Sequence, residues 1–127
     1  LLTAAVTGAV DNDNARRIAK SIITSSLTKA AMFGADANWG RVLCAIGYSG
    51  VPTDVNAVDV VFHSAKGDIL VCQNGAGVDF SEEIAKEILL ESEIIIHVDL
   101  NSGDAEATAW GCDLTYEYVK INGDYRT

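Results

Sequence analysis

The sequence predicts a mixed α/β (α+β) fold, a mixed sheet with antiparallel hairpins and packed helices. Runs rich in β-branched residues alternate with apolar stripes at helical spacing. Strand-like runs also occur in adjacent pairs joined by turn sequences, Ala65-Lys66-Gly67 in one case and Asn101-Ser102-Gly103-Asp104 in another. The resulting order, β-α-β-α-β-β-α-β-β-α, lacks the strict alternation of a doubly wound parallel sheet. Apolar residues make up 49% of the chain, enough for a core.

Leu2 to Val10 reads as a strand with β-branched Thr3, Val6, Thr7 and Val10, and Gly8 within it suggests a bulge or a close backbone approach. Asp11 to Asn14 offers helix caps, and Ala15, Ile18, Ala19, Ile22 and Ile23 at helical spacing predict a helix from Asn14 to Ser25. Leu27 to Phe33 is short and apolar and is expected to be extended, with Gly34 to Ala37 a loop. Asn38 reads as the cap of a helix carrying Val42, Leu43 and Ile46 up to Gly47. Tyr48 to Asn56 holds the single proline, Pro52, and is a candidate sub-boundary within an otherwise single unit.

Ala57 to His63 and Asp68 to Gln73 form the first expected hairpin, followed by a loop at Asn74-Gly75-Ala76-Gly77. Ser81 caps a helix reaching Ser92, with Glu82 and Glu83 at its positive N-terminal end. Glu93 to Leu100 and Ala105 to Cys112 are strands, and Asp113 to Ile121 reads as a closing helix with Leu114, Tyr118 and Ile121 on one side.

Nine basic and eighteen acidic side chains give a net charge of −9, unevenly placed. Residues 1–41 carry five basic and three acidic groups, while 42–127 carry four and fifteen. Such an acidic chain without a basic stripe argues against nucleic acid and anionic membranes as partners. No apolar run approaches the ~20 residues of a membrane helix. Cys44, Cys72 and Cys112 are far apart and form no C-x-x-C pair, which fits reduced thiols in a cytoplasmic protein.

Several residues could carry chemistry. His97 and Asp99 are two apart on a strand and share a face, but a metal normally needs three or four ligands, so no metal is assigned. His63 is the other histidine, and a structural or surface histidine is the plainer reading. Gly75 and Gly77 could line a phosphate loop, but no third glycine or lysine follows at P-loop spacing, and a turn fits better. Thr3 lies near the N-terminus without being first, so it has no α-amine of its own to act as base. Asp36-Ala37-Asn38-Trp39-Gly40-Arg41 sets a carboxylate, an amide, an indole and a guanidinium at one helix start. It could bind a carboxylate, clamp an adjoining loop, or be a cap with Trp39 in the core and Arg41 paired to Asp36. The tail from Tyr118 to Thr127 stays aromatic and polar to its last residue, which suits docking rather than fraying.

Three blocks resemble the ornithine acetyltransferase / N-acetylglutamate synthase family: Ser26 to Arg41, Ala107 to Thr115, and Tyr118 to Thr127. The first departs from the family pattern with Thr28 for Val and Ala30 for Thr. With Gly8-Ala9 and the helix that follows, the likeness spans the chain, which is identified as the C-terminal part of a β chain with the corresponding part of that family's fold. The resemblance implies a precursor that cuts itself before a threonine, giving an α and a β chain. The new N-terminal threonine takes acetyl from N-acetylornithine as an acyl-enzyme and passes it to glutamate. Some members also accept acetyl-CoA as co-substrate, and no bound cofactor is implied.

The same resemblance implies that the nucleophile, the oxyanion hole and a further glutamate lie outside these 127 residues, so that no catalytic residue is expected in the chain and the chain alone is expected to be inactive. The opening at Leu1, inside a strand, is read as cleavage or truncation, with Leu2, Val6, Val42, Ile46 or other apolar faces expected to be partly exposed until partners cover them. Expected partners are the α chain and the rest of the β chain, in a heterotetramer of two α and two β chains. Matched by position, Asn122 and Thr127 are expected to contact the amino-acid substrate, while Lys29, Asp36, Asn38, Trp39, Gly40 and Arg41 form a structural motif. The alternative is a non-catalytic acidic binding or regulatory domain; a self-sufficient hydrolase using Cys44 or Thr3 is a third reading.

Overall fold

A computed structural model describes residues 1–112 and the backbone of 120–121. Strand β1 (Leu2–Ala9) leads into helices α1 (Asn12–Thr24), α2 (Ser26–Phe33) and α3 (Trp39–Gly47). A 3-10 turn (Val55–Ala57) precedes the hairpin of β2 (Asp59–Ser64) and β3 (Gly67–Gln73). Then follow β4 (Ala76–Gly77), α4 (Glu82–Leu89), β5 (Ile94–Asp99), β6 (Ala105–Gly111) and β7 (Lys120–Ile121). The strands form one sheet in the order β4-β3-β2-β5-β1-β6-β7. Among the described residues β1 and β5 run parallel and the other pairs are antiparallel. The mixed α+β class is therefore the one the sequence predicts.

Alternation along the strands separates two faces. Leu2, Ala4, Val6, Val60, Phe62, Ile94, Ile96, Val98, Ala107 and Ala109 are buried. They are register neighbours, for example Phe62 beside Ile96, Ile96 beside Ala4 and Ala4 beside Ala109. Against this face α1 lays Ala15, Ile18, Ala19, Ile22 and Ile23, and α4 lays Ala85, Ile88 and Leu89. The other face, with Thr3, Ala5, Val61, Ile95, His97 and Trp110, is only half-buried. The expected exposure of Leu2, Val6, Val42 and Ile46 is thus corrected: all four are fully buried by the chain's own helices.

Residues 27–33, expected to be extended, are helical. Ser25 caps α2, its Oγ accepting from the Thr28 amide at 3.1 Å, and Thr28, Ala31 and Met32 bury one side. An eight-residue helix shows too few turns for its period to stand out from a short apolar run. Helix α1 begins at Asn12 because Asp11, not a later residue, is the cap that accepts from the Asn14 amide at 2.8 Å. Helix α4 stops at Leu89, short of Ser92, and Ala76–Gly77 pairs with Cys72 and Gln73 as a strand rather than a loop. Of the expected closing helix, residues 113–119 lie outside the described residues, but Lys120–Ile121 is a strand that pairs with Trp110 and Ala109. Gly8 does mark a bulge: the β1–β6 register shifts between Val6 and Ala9.

Candidate functional site

The six-residue motif is a brace between elements. Asn38 caps α3, its Oδ1 accepting from the Arg41 amide at 3.2 Å, while its Nδ2 donates to Asp36 at 3.4 Å. Arg41 Nη1 donates to the carbonyl of Leu27 at 3.1 Å, and the buried Thr28 hydroxyl donates back to the carbonyl of Arg41 at 3.4 Å. These two bonds tie α3 to α2. Arg41 forms no ion pair with Asp36, which corrects the expected pairing; α2 brings a carbonyl within its reach instead. Trp39 is half-buried against the core and packs on Gly77 of β4. Lys29 is 3% exposed on α2, and Gly40 has room for a Cβ at ordinary contact distance.

The glycine loop is a turn, not an anion cradle. Asn74 and Gly75 both have positive φ, at 53° and 76°, as a tight hairpin turn requires. Their amides are already used: Asn74 N donates to Asp59 at 2.9 Å and Gly75 N to the Val58 carbonyl at 2.8 Å. Cys44 is exposed on α3 without a hydrogen-bond partner among the described residues, so no base activates it. Cys72 is buried, and that burial, with the Asp59 charge second, pushes its thiol pKa up. His97 and Asp99 share a face but do not meet: His97 Nε2 lies 3.4 Å from the Thr7 hydroxyl, and Asp99 accepts from the Asn101 amide at 2.9 Å. Among the described residues no group of three or more His, Cys, Asp or Glu could hold a metal.

What the structure adds is a cleft of about 750 Å³ on the half-buried face of the sheet. Its floor follows one register row: His63 beside Ile95, Ile95 beside Thr3 and Thr3 beside Trp110. At spacings of about 4.8 Å the row spans roughly 14 Å. Thr108 and Ala5 extend the floor, and Glu91, Ser92 and Glu93, after α4, form a wall. Thr3, read as a strand residue, is therefore also a lining residue. At one end His63 Nδ1 is hydrogen-bonded to the Asp68 carboxylate, its register partner on β3. Sequence reasoning missed this pair. Its signal was the turn at 65–67, which sets His63 opposite Asp68. Asn122 and Thr127 lie outside the described residues, but Ile121, one residue before Asn122, pairs with Ala109. Ala109 is flanked on β6 by Thr108 and Trp110, both lining the cleft.

Compared with known proteins, residues 1–127 match the model of the ArgJ family. The "Arginine biosynthesis bifunctional protein ArgJ" of Caldanaerobacter subterraneus subsp. tengcongensis is 54% identical over 127 residues, which are 100% of this chain and 32% of that protein. The "Glutamate N-acetyltransferase" of Methanopyrus kandleri is 50% identical over 127 residues, 100% of this chain and 33% of the other. The crystal structure of the arginine biosynthesis bifunctional protein ArgJ from Bacillus halodurans aligns with a TM-score of 0.82 at 42% identity, over 92% of this chain and 54% of that one. The chain thus spans about a third of the length of the curated relatives it matches.

Proposed function

This chain belongs to the ArgJ family, and from that premise we propose that it is the C-terminal portion of an acetyltransferase of arginine biosynthesis. The observation that carries the reading is the match over all 127 residues to proteins named ArgJ and glutamate N-acetyltransferase. The enzyme moves acetyl from N-acetylornithine to glutamate. A threonine outside this chain attacks the acetyl carbonyl; the acetyl–nitrogen bond breaks, and ornithine leaves with the proton taken from the hydroxyl. The glutamate amine then attacks the threonine ester, and the product departs with the hydroxyl restored. A threonine at a newly made N-terminus has its own α-amine as base, which explains why self-cleavage of a precursor precedes activity. Acetyl-CoA is a further acetyl donor in this reading, and the enzyme works in the cytoplasm.

In this enzyme the chain supplies part of the substrate cleft. Asn122 and Thr127 contact the amino-acid substrate, an amide and a terminal hydroxyl being able to meet its ammonium and carboxylate. The pairing of Ile121 with Ala109, between two residues of the cleft, supports this role. The α chain and the rest of the β chain complete the assembly as a heterotetramer of two α and two β chains. The half-buried sheet face, with Val61, Ile95 and Trp110 only partly covered, supports such partners. The test is acetyl transfer from N-acetylornithine to glutamate, by the 127-residue chain and by the complete protein. Activity in the complete protein alone is expected; turnover by the purified 127-residue chain, or none by the complete protein, overturns the reading.

A further inference from the structure

Resting on the acetyl-transfer reading above, we propose that His63, oriented by Asp68, forms an acceptor subsite at the β2 end of the cleft that takes the side-chain ammonium of a cationic amino-acid substrate. The Asp68 carboxylate can only accept, so the hydrogen-bonded Nδ1 of His63 carries the proton. In the neutral ring Nε2 is then a lone pair. That nitrogen makes no hydrogen bond among the described residues. Strand β3, which carries Asp68, flanks β2 on one side and β5 flanks it on the other. His63 lines the cleft, and Nε2 is the ring nitrogen not committed to β3.

Acceptors also stand around this end. The Ser64 hydroxyl accepts from the Lys66 amide at 3.2 Å, and Glu91 and Glu93 stand on the adjoining wall. An ammonium has three donors and no acceptor, so a lone pair beside carboxylates matches it. A ligand carboxylate meets the same groups unfavourably. The subsite therefore separates the two amino acids of the proposed reaction: it favours N-acetylornithine, whose side chain ends in an ammonium, and not glutamate, whose side chain ends in a carboxylate.

The side chain of His63 is 46% exposed, so its substitution leaves the core intact. In the complete enzyme His63→Lys places a cation where the substrate ammonium binds. The KM for N-acetylornithine is expected to rise on the order of tenfold or more, with the KM for glutamate unchanged or lower. His63→Gln keeps an acceptor and restores most of the affinity. Asp68→Ala, which removes a positioning residue, raises the same KM by less. Equal increases in both KM values, or none in His63→Lys, overturn the subsite while leaving acetyl transfer standing. A wild-type enzyme that transfers no acetyl from N-acetylornithine overturns the underlying reading, and the subsite with it.

Discussion

The indole of Trp39 fills the space that a Cβ on Gly77 would need: such an atom would lie 3.0 Å from Cε2 and closer still to Cζ2. This contact joins the start of α3 to the edge strand β4, through two residues 38 apart in the chain. It explains why the small residue of the glycine loop stands at position 77 and why a half-exposed tryptophan stands at 39. Gly77→Ala is expected to lower stability by about 1–3 kcal/mol, because the ring must shift to admit a methyl group. Paired melts of Gly77→Ala and Gly77→Ala/Trp39→Phe check it. Removing the larger ring should make the alanine less damaging, and independent, additive losses would disprove the contact.

Arg41→Ala should lower stability without touching the chemistry. The guanidinium bridges α3 to the Leu27 carbonyl in an exposed setting, so the loss is expected at about 1 kcal/mol, not the larger figure of a buried charge. Thr28→Val should cost about 1–2 kcal/mol more, since it leaves the buried side of the same junction without its donor. Thermal melts beside steady-state kinetics of the complete enzyme decide the matter. A normal melt with a collapsed kcat would place this motif at the reacting bond instead.

Gly8 has φ +71°, and a Cβ there would collide with the Asp99 carboxylate and lie 2.7 Å from the Asn101 amide nitrogen. Any side chain therefore meets backbone strain and a clash with the turn after β5. Gly8→Ala is expected to lose at least ~2 kcal/mol, read as a fall in the denaturation midpoint with an unchanged m-value. A midpoint equal to wild type would show that the bulge relaxes without penalty.

Much of the fold was legible because its signals are local. The stripe from Ala15 to Ile23 and the caps Asn38 and Ser81 each act within one or two turns. Helix α2 was not legible, since its Ser25 cap sits beside a run too short to show a period. Strand β4 is two residues long and carries glycine, so turn chemistry hid it. The site was less legible than the fold. The cleft row His63–Ile95–Thr3–Trp110 draws one residue from each of four strands, and nothing in the chain announces their order in the sheet. Arg41 was assigned the nearest acid because the carbonyl it actually meets depends on how α2 packs on α3.

The cysteines should separate by reactivity. Cys44 is exposed and Cys72 is buried, with its pKa raised by desolvation and secondarily by Asp59. A thiol-specific reagent should label Cys44 in the native chain while Cys72 waits for unfolding. A raised folded-state pKa means that the fold binds the Cys72 proton more tightly than the unfolded chain does. The stability this contributes is complete below the ordinary thiol pKa and is lost as pH rises through the folded value. Cys72→Ala should accordingly flatten the alkaline decline in stability. Rapid native labelling at Cys72, by peptide mass, would contradict the burial.

The tail provides the strongest test of the proposed substrate role. Strand β7 lays Lys120 and Ile121 against Trp110 and Ala109, so β7 is tied to the strand that carries Thr108 and Trp110 of the cleft floor. A residue following such a strand inherits a defined starting point, which a frayed terminus would lack. Deleting Thr127 removes a hydroxyl and shifts the terminal carboxylate by one residue. Asn122→Ala removes an amide that can meet a charged substrate group. Each is expected to weaken kcat/KM for N-acetylornithine by about 1–3 kcal/mol of transition-state stabilisation, while the melting temperature stays near wild type. A large fall in melting temperature would signal a structural role instead. If both variants of the complete enzyme keep wild-type kcat/KM, the tail does not contact the substrate, and the cleft must be closed by other residues.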